Sequence, residues 1–80
     1  MQSQETTMVL SVAMRPSNEA LLKTVLLLKQ GGLRVEEVAL RREGEVLTGR
    51  IVVTGKEAKA RWFVEKARTL PFFVSADLGA

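Results

Sequence analysis

Three short stretches hold the residue types that could do chemistry: Arg15-Pro16-Ser17-Asn18-Glu19, the paired glycines Gly31-Gly32, and the adjacent carboxylates Glu36-Glu37. The 80-residue sequence contains no His, no Cys and no Tyr. It therefore offers no imidazole base, no thiolate nucleophile and no imidazole or thiolate metal ligand. Carboxylates remain, but neighbours on a strand point to opposite faces, so Glu36 and Glu37 cannot converge as an acid–base pair without a bulge. Charges so placed read more simply as protection of an edge strand. Gly31-Gly32 follows a helical stretch with no Lys-Ser/Thr pair after it, whereas a phosphate-cradling glycine loop precedes its helix. It reads as a helix stop. These residues predict no catalytic site, no metal site and no cofactor. They predict a domain that binds and regulates.

The elements that must position these residues follow from the apolar pattern. Met8 to Arg15 alternates Met8, Leu10, Val12 and Met14 against Val9, Ser11 and Ala13, as a strand does. Pro16 disfavours helical geometry before it, and Ser17 or Asn18 can cap a helix start. Leu21, Leu22, Val25, Leu26 and Leu28 then recur at helical spacing up to Gly31-Gly32. Leu33 to Arg42 is a second strand whose apolar set changes phase across Glu36-Glu37, which predicts a bulge there. Glu43-Gly44 has turn chemistry, and Glu45 to Thr54 completes a hairpin. Thr54 with Glu57 fits a capping box for a second helix carrying Ala60, Phe63, Ala67 and Leu70, stopped by Pro71. Phe72, Val74, Ala76 and Leu78 alternate as a last strand.

The order is strand-helix-strand-strand-helix-strand. With right-handed crossovers it specifies an α+β ferredoxin-like βαββαβ sandwich, a four-stranded antiparallel sheet with both helices on one face. The other face is left bare, with Val9, Ser11, Ala13, Val52 and Phe73 as its candidates. Trp62, beside Phe63 on the second helix, is placed to pack at the core rim or to anchor an interface.

Composition sets the outer limits. A chain this short buries only about 60% of its unfolded surface and has no disulfide to compensate, so a homodimer or higher homo-oligomer is expected. Residues 1–80 form one domain, with 1–7 a flexible N-terminal tail. That tail carries no basic cluster, and the longest apolar run, Val25 to Leu28, is far too short for a membrane span. A cytoplasmic location and no membrane partner are the expectation. The net charge is +3 and the pI about 9.8, but the basic residues alternate with acids, which points away from nucleic acid. The first and third strands lack the stacking aromatics of an RNA-recognition domain. Pro16-Ser17-Asn18-Glu19 lacks the successive glycine amides of an acylphosphatase loop.

The stretches Arg15-Pro16-Ser17-Asn18-Glu19-Ala20-Leu21-Leu22-Lys23 and Leu27-Leu28-Lys29-Gln30-Gly31-Gly32-Leu33-Arg34-Val35-Glu36 resemble an ACT domain. The form resembled is the short small (regulatory) subunit of acetohydroxyacid, or acetolactate, synthase. There a capped helix ends in a basic residue and Gly, and leads into a strand beginning apolar-x-Val or Ile. The resemblance implies a non-catalytic module of branched-chain amino-acid biosynthesis that partners a large thiamine-diphosphate-dependent subunit. It also implies two domains joined edge to edge with a small amino acid between them. Ser17, Asn18, Glu19 and Ala20 would line the carboxylate end of that ligand. Val35 and Glu36 of a neighbouring chain would supply the side-chain wall and an acceptor for the ammonium. The sequence departs from the pattern at Asn18-Glu19, where ligand-binding ACT loops place a Gly after the Pro. A stand-alone ACT domain sensing another small molecule, and a basic nucleic-acid-binding module, are the alternative readings.

Overall fold

The computed structural model describes residues 5–79. Six elements follow in order: β1 Glu5–Met14, α1 Asn18–Gln30, β2 Arg34–Glu43, β3 Val46–Lys56, α2 Glu57–Ala67 and β4 Phe73–Gly79. The four strands form one antiparallel sheet in the order β2-β3-β1-β4. This is the ferredoxin-like βαββαβ architecture expected from the sequence.

Alternation decides which face each strand buries. Leu10, Val12 and Met14 of β1, Ile51 and Val53 of β3 and Ala76 of β4 point into the core under the helices. From α2 they meet Ala60, Phe63, Val64 and Ala67, spaced three and four apart on one side of that helix. Val9, Ser11, Ala13 and Val52 lie on the opposite, bare face, as expected. Phe73 does not. It pairs with Met14, joins the core and meets Phe63 edge to face at 6.2 Å. The β1–β4 register shifts between Ala13 and Met14, which skips Val74 out to solvent and turns Phe73 inward.

Three element ends differ from expectation. β1 begins at Glu5, so residues 5–7 extend the strand instead of belonging to a tail, and residues 1–4 of that tail lie outside the described residues. The longer β1 pairs with a longer β3, in which Thr7 faces Thr54 with the two hydroxyl oxygens 3.2 Å apart. Thr54 is thus held in the sheet and caps nothing. The residue before α2 is Lys56, without a side-chain cap, and Glu57 pairs with Arg61 at 2.6 Å. α2 stops at Ala67, three residues before Leu70, with tight-turn bonds from Thr69 N to Lys66 O and Leu70 N to Ala67 O.

The hairpin and its bulge are where the sequence places them. β2 and β3 turn through Gly44, at φ 63°, and Glu45, and the β2–β3 register skips Glu36 between Val35 and Glu37. Among the described residues no helix is long and apolar enough to cross a membrane.

α1 holds the main surprise. It buries Ala20, Thr24, Leu27 and Leu28, while Leu21, Leu22, Val25 and Leu26 stay largely exposed. Ala20 and Thr24 are small enough to let the helix settle on Met14. The Thr24 hydroxyl is satisfied by donating to the Ala20 carbonyl at 2.8 Å, with the Met14 sulfur at 3.6 Å. The larger side chains form a second apolar face. Trp62 closes the other end of the helix, its ring lying against Gly31, where an added Cβ would approach it to 3.1 Å.

Candidate functional site

The start of α1 is built as the sequence suggests. Ser17 is extended at φ −133°, ψ 151°, and its hydroxyl accepts from the Ala20 amide at 3.1 Å, a helix N-cap. The Leu21 amide bonds the Ser17 carbonyl at 3.2 Å. This leaves the amides of Asn18 and Glu19 as the free donors at the positive end of the helix dipole. Ala20 contributes little to a site, because its side chain is in the core and its amide is taken by Ser17. Glu19 turns along the helix toward Lys23, 3.9 Å away, so its charge is partly offset.

A cleft of about 360 Å³ opens beside this helix start, lined by Arg15, Ser17, Glu19, Ala20, Lys23 and the Leu70-Pro71-Phe72 segment. The segment is tied in by a bond from Arg15 N to Phe72 O at 2.8 Å. Arg15 and Lys23 place two cations at its mouth, which suits a small anionic group. Sequence reasoning named Arg15 but gave neither it nor Lys23 a ligand role, and it missed Leu70 to Phe72 because only the fold brings the α2–β4 connection to the start of α1. Capping and any ligand role of Ser17 separate experimentally. Ser17→Ala is expected to cost about 1 kcal/mol and to lower Tm by roughly 5 °C in calorimetry without any ligand.

Val35 and Glu36 are not at this cleft. Val35 pairs with Val53, which pairs with Met8, whereas α1 starts after Met14 at the other end of β1. From Met8 to Met14 the strand runs about 20 Å. Within one chain, therefore, Ser17 to Ala20 and Val35-Glu36 stand at opposite ends of the sheet. Glu36 is the extra residue of the bulge and pairs with Arg34 at 3.4 Å.

A second cleft joins the other half of the picture. Between α1 and β2 runs a groove of about 340 Å³ lined by Leu21, Val25, Leu28, Val35, Val38 and Leu40, with Thr24 as the one polar residue among its walls. It adjoins the outer edge of β2, which among the described residues hydrogen-bonds to β3 alone. The opposite edge is guarded. Arg68 donates from Nε to the Ala76 carbonyl at 3.1 Å and pairs with Asp77 at 2.9 Å, occupying a main-chain acceptor of β4. Among the described residues no three carboxylate, imidazole or thiol side chains gather as metal ligands.

The fold is similar to that of a solved ACT domain. The chain matches the solution structure of the ACT domain from the GTP pyrophosphokinase of Chlorobium tepidum with a TM-score of 0.76 and 8% identity, over 96% of this chain and 89% of that one. It matches the crystal structure of the same domain with a TM-score of 0.77 and 8% identity, over 94% of this chain and 99% of that one. At that identity the likeness is one of fold. No protein-family model and no curated protein matches the sequence.

Proposed function

We propose that the chain is a non-catalytic regulatory module of ACT type that works as a side-by-side pair and holds a small amino acid between the copies. The observation that carries this reading is the uncovered apolar face of α1 beside the outer edge of β2. Leu22 and Val25 are 60% and 54% exposed, and Val35 and Val38 continue the same surface at 42% and 53%. A surface of this kind on so small a domain calls for a partner. Pairing along β2 also supplies what one chain lacks, because it carries Val35 and Glu36 of one copy toward the α1 start of the other. The ligand carboxylate then meets the free amides of Asn18 and Glu19 near Arg15 and Lys23, and Glu36 of the neighbour accepts from the ammonium. In the finer reading the module serves as the small subunit of acetohydroxyacid synthase in branched-chain amino-acid biosynthesis.

A thermal-shift series against the twenty amino acids tests the ligand. One small apolar amino acid is expected to raise Tm by several degrees, since a ligand at a hundred times its Kd stabilises the native state by about 2.7 kcal/mol. A flat response across the series removes the ligand from the reading. Co-purification with a large synthase subunit, with a change in that subunit's activity, tests the finer assignment. No association in any amino-acid condition would sink it.

A further inference from the structure

The outer edge of β2 carries information about how two copies meet. Over residues 37–43, beyond the bulge, side chains alternate strictly. Glu37, Ala39, Arg41 and Glu43 share the bare face with Val52, Arg50, Thr48 and Val46, while Val38, Leu40 and Arg42 share the helix face. Direct antiparallel partners lie on the same face of a sheet, so a two-fold axis between copies must pass through one residue of β2. Centring it on Glu37 or on Arg41 stacks a charge on its own copy. Centring it on Leu40 sets Glu37 opposite Glu43. Centring it on Val38 leaves Glu37 opposite Ala39. Only Ala39 on the axis sets Glu37 opposite Arg41, twice, with Val38 opposite Leu40 on the helix face.

The backbone agrees. The Ala39 carbonyl points at Gly49 of β3, so the outward groups of this stretch belong to Val38 and Leu40, which exchange their hydrogen bonds in this register. Glu37 and Arg41 then fall at the closely spaced, non-hydrogen-bonded positions, where cross-strand charges act most strongly. Among the described residues of the single chain Glu37 forms no ion pair, and Arg41 pairs only with the exposed Glu43 at 3.3 Å.

We infer that β2 is a self-complementary recognition strand, which pairs antiparallel with a second copy of this chain about Ala39 and is held in register by Glu37–Arg41 pairs between copies. The inference rests on the side-by-side pairing proposed above and specifies it. Because Glu36 is the extra residue of the bulge, the same register sets Val35 opposite Arg42 of the second copy on the helix face, with Glu36 beside it, at the sheet end where Met14 leads into α1. The two halves of the candidate site are thereby brought to one end of the joined sheet.

The test is a charge exchange read by sedimentation equilibrium on the full chain. The native protein is expected to be a dimer. Glu37→Arg alone creates two Arg–Arg pairs per dimer and Arg41→Glu alone two Glu–Glu pairs, so each is expected to weaken association by about ten- to a hundredfold. An equimolar mixture of the two single variants forms a heterodimer with both pairs of opposite sign, and association should return to near the native value. The double variant Glu37→Arg/Arg41→Glu should also dimerise as the native chain does. Both residues are exposed, and circular dichroism of each variant confirms that the fold is kept. A native dimer with single variants that associate unchanged, or a mixture that stays as weak as its components, overturns the register while leaving side-by-side pairing in place. A native chain that is monomeric at every concentration overturns both.

Discussion

Gly49→Ala is expected to be the most damaging single methyl group that can be added to this domain. Gly49 sits mid-strand in β3, between Val12 of β1 and Leu40 of β2. A Cβ there would collide with the Ala39 carbonyl oxygen and come within 2.9 Å of the Leu40 Cα. Both obstacles are main-chain atoms, so no rotamer change relieves them, and β2 would have to move off β3. A clash of this kind costs about 3 kcal/mol or more. A domain this small holds on the order of 5–10 kcal/mol in all. The urea midpoint, followed by circular dichroism, should fall by roughly 2 M. Gly79→Ala is the control, because its added Cβ would meet only the Ser11 hydroxyl, at 3.4 Å, and Val9 O, at 3.7 Å. If Gly49→Ala unfolds within about 1 kcal/mol of the native chain, β2 is not held against β3 in this register, and the pairing argument built on Ala39 falls with it.

What could be read from the sequence divides along physical lines. Features set by local chemistry were legible: the Ser17 cap, the Gly44 turn and the bulge at Glu36, where an apolar phase switch has few other meanings on a strand. Features set by how far a neighbouring strand extends were not. Thr54 and Glu57 have the spacing of a capping box, but the pairing of Thr7 and Glu5 with Thr54 and Lys56 keeps Thr54 in the sheet. Simple alternation places Phe73 on the bare face, and a register shift that no local signal announces turns it inward.

The helix α1 shows a different kind of ambiguity. From Ala20 to Leu28 only Lys23 and Thr24 interrupt a run of apolar residues, so several stripes fit helical periodicity equally well. Hydrophobicity favours the one through Leu21, Leu22, Val25 and Leu26. Packing favours Ala20, Thr24, Leu27 and Leu28, because small residues bring the helix close to the sheet and the Thr24 hydroxyl can bond its own backbone. The candidate site was half legible for a related reason. Ser17 and its neighbours, Arg15 and Lys23 among them, lie in one stretch recognisable as a helix start, whereas Leu70 to Phe72 join them only through the fold. Val35 and Glu36 reach that site only through a second chain.

The leftover stripe makes the second large prediction. Leu22→Lys with Val25→Lys should leave the isolated fold nearly untouched and abolish the pairing of copies. The two side chains are 60% and 54% exposed, so charge at either tip stays in water in the single chain, where surface changes cost within about 0.5 kcal/mol. In the pair each copy loses about half the burial of a Leu and a Val, on the order of 2 kcal/mol per copy and 4 kcal/mol per dimer. That is about a thousandfold in Kd by sedimentation. The urea midpoint of the fold, measured at low concentration where both proteins are monomeric, should not change. The amino-acid thermal shift should vanish in the same variant, although Ser17, Arg15 and Lys23 are intact, because the site is completed by Glu36 of the other copy. A double variant that stays monomeric yet keeps the full thermal shift would place the ligand within one chain, at the cleft beside Leu70 to Phe72, and would separate sensing from assembly.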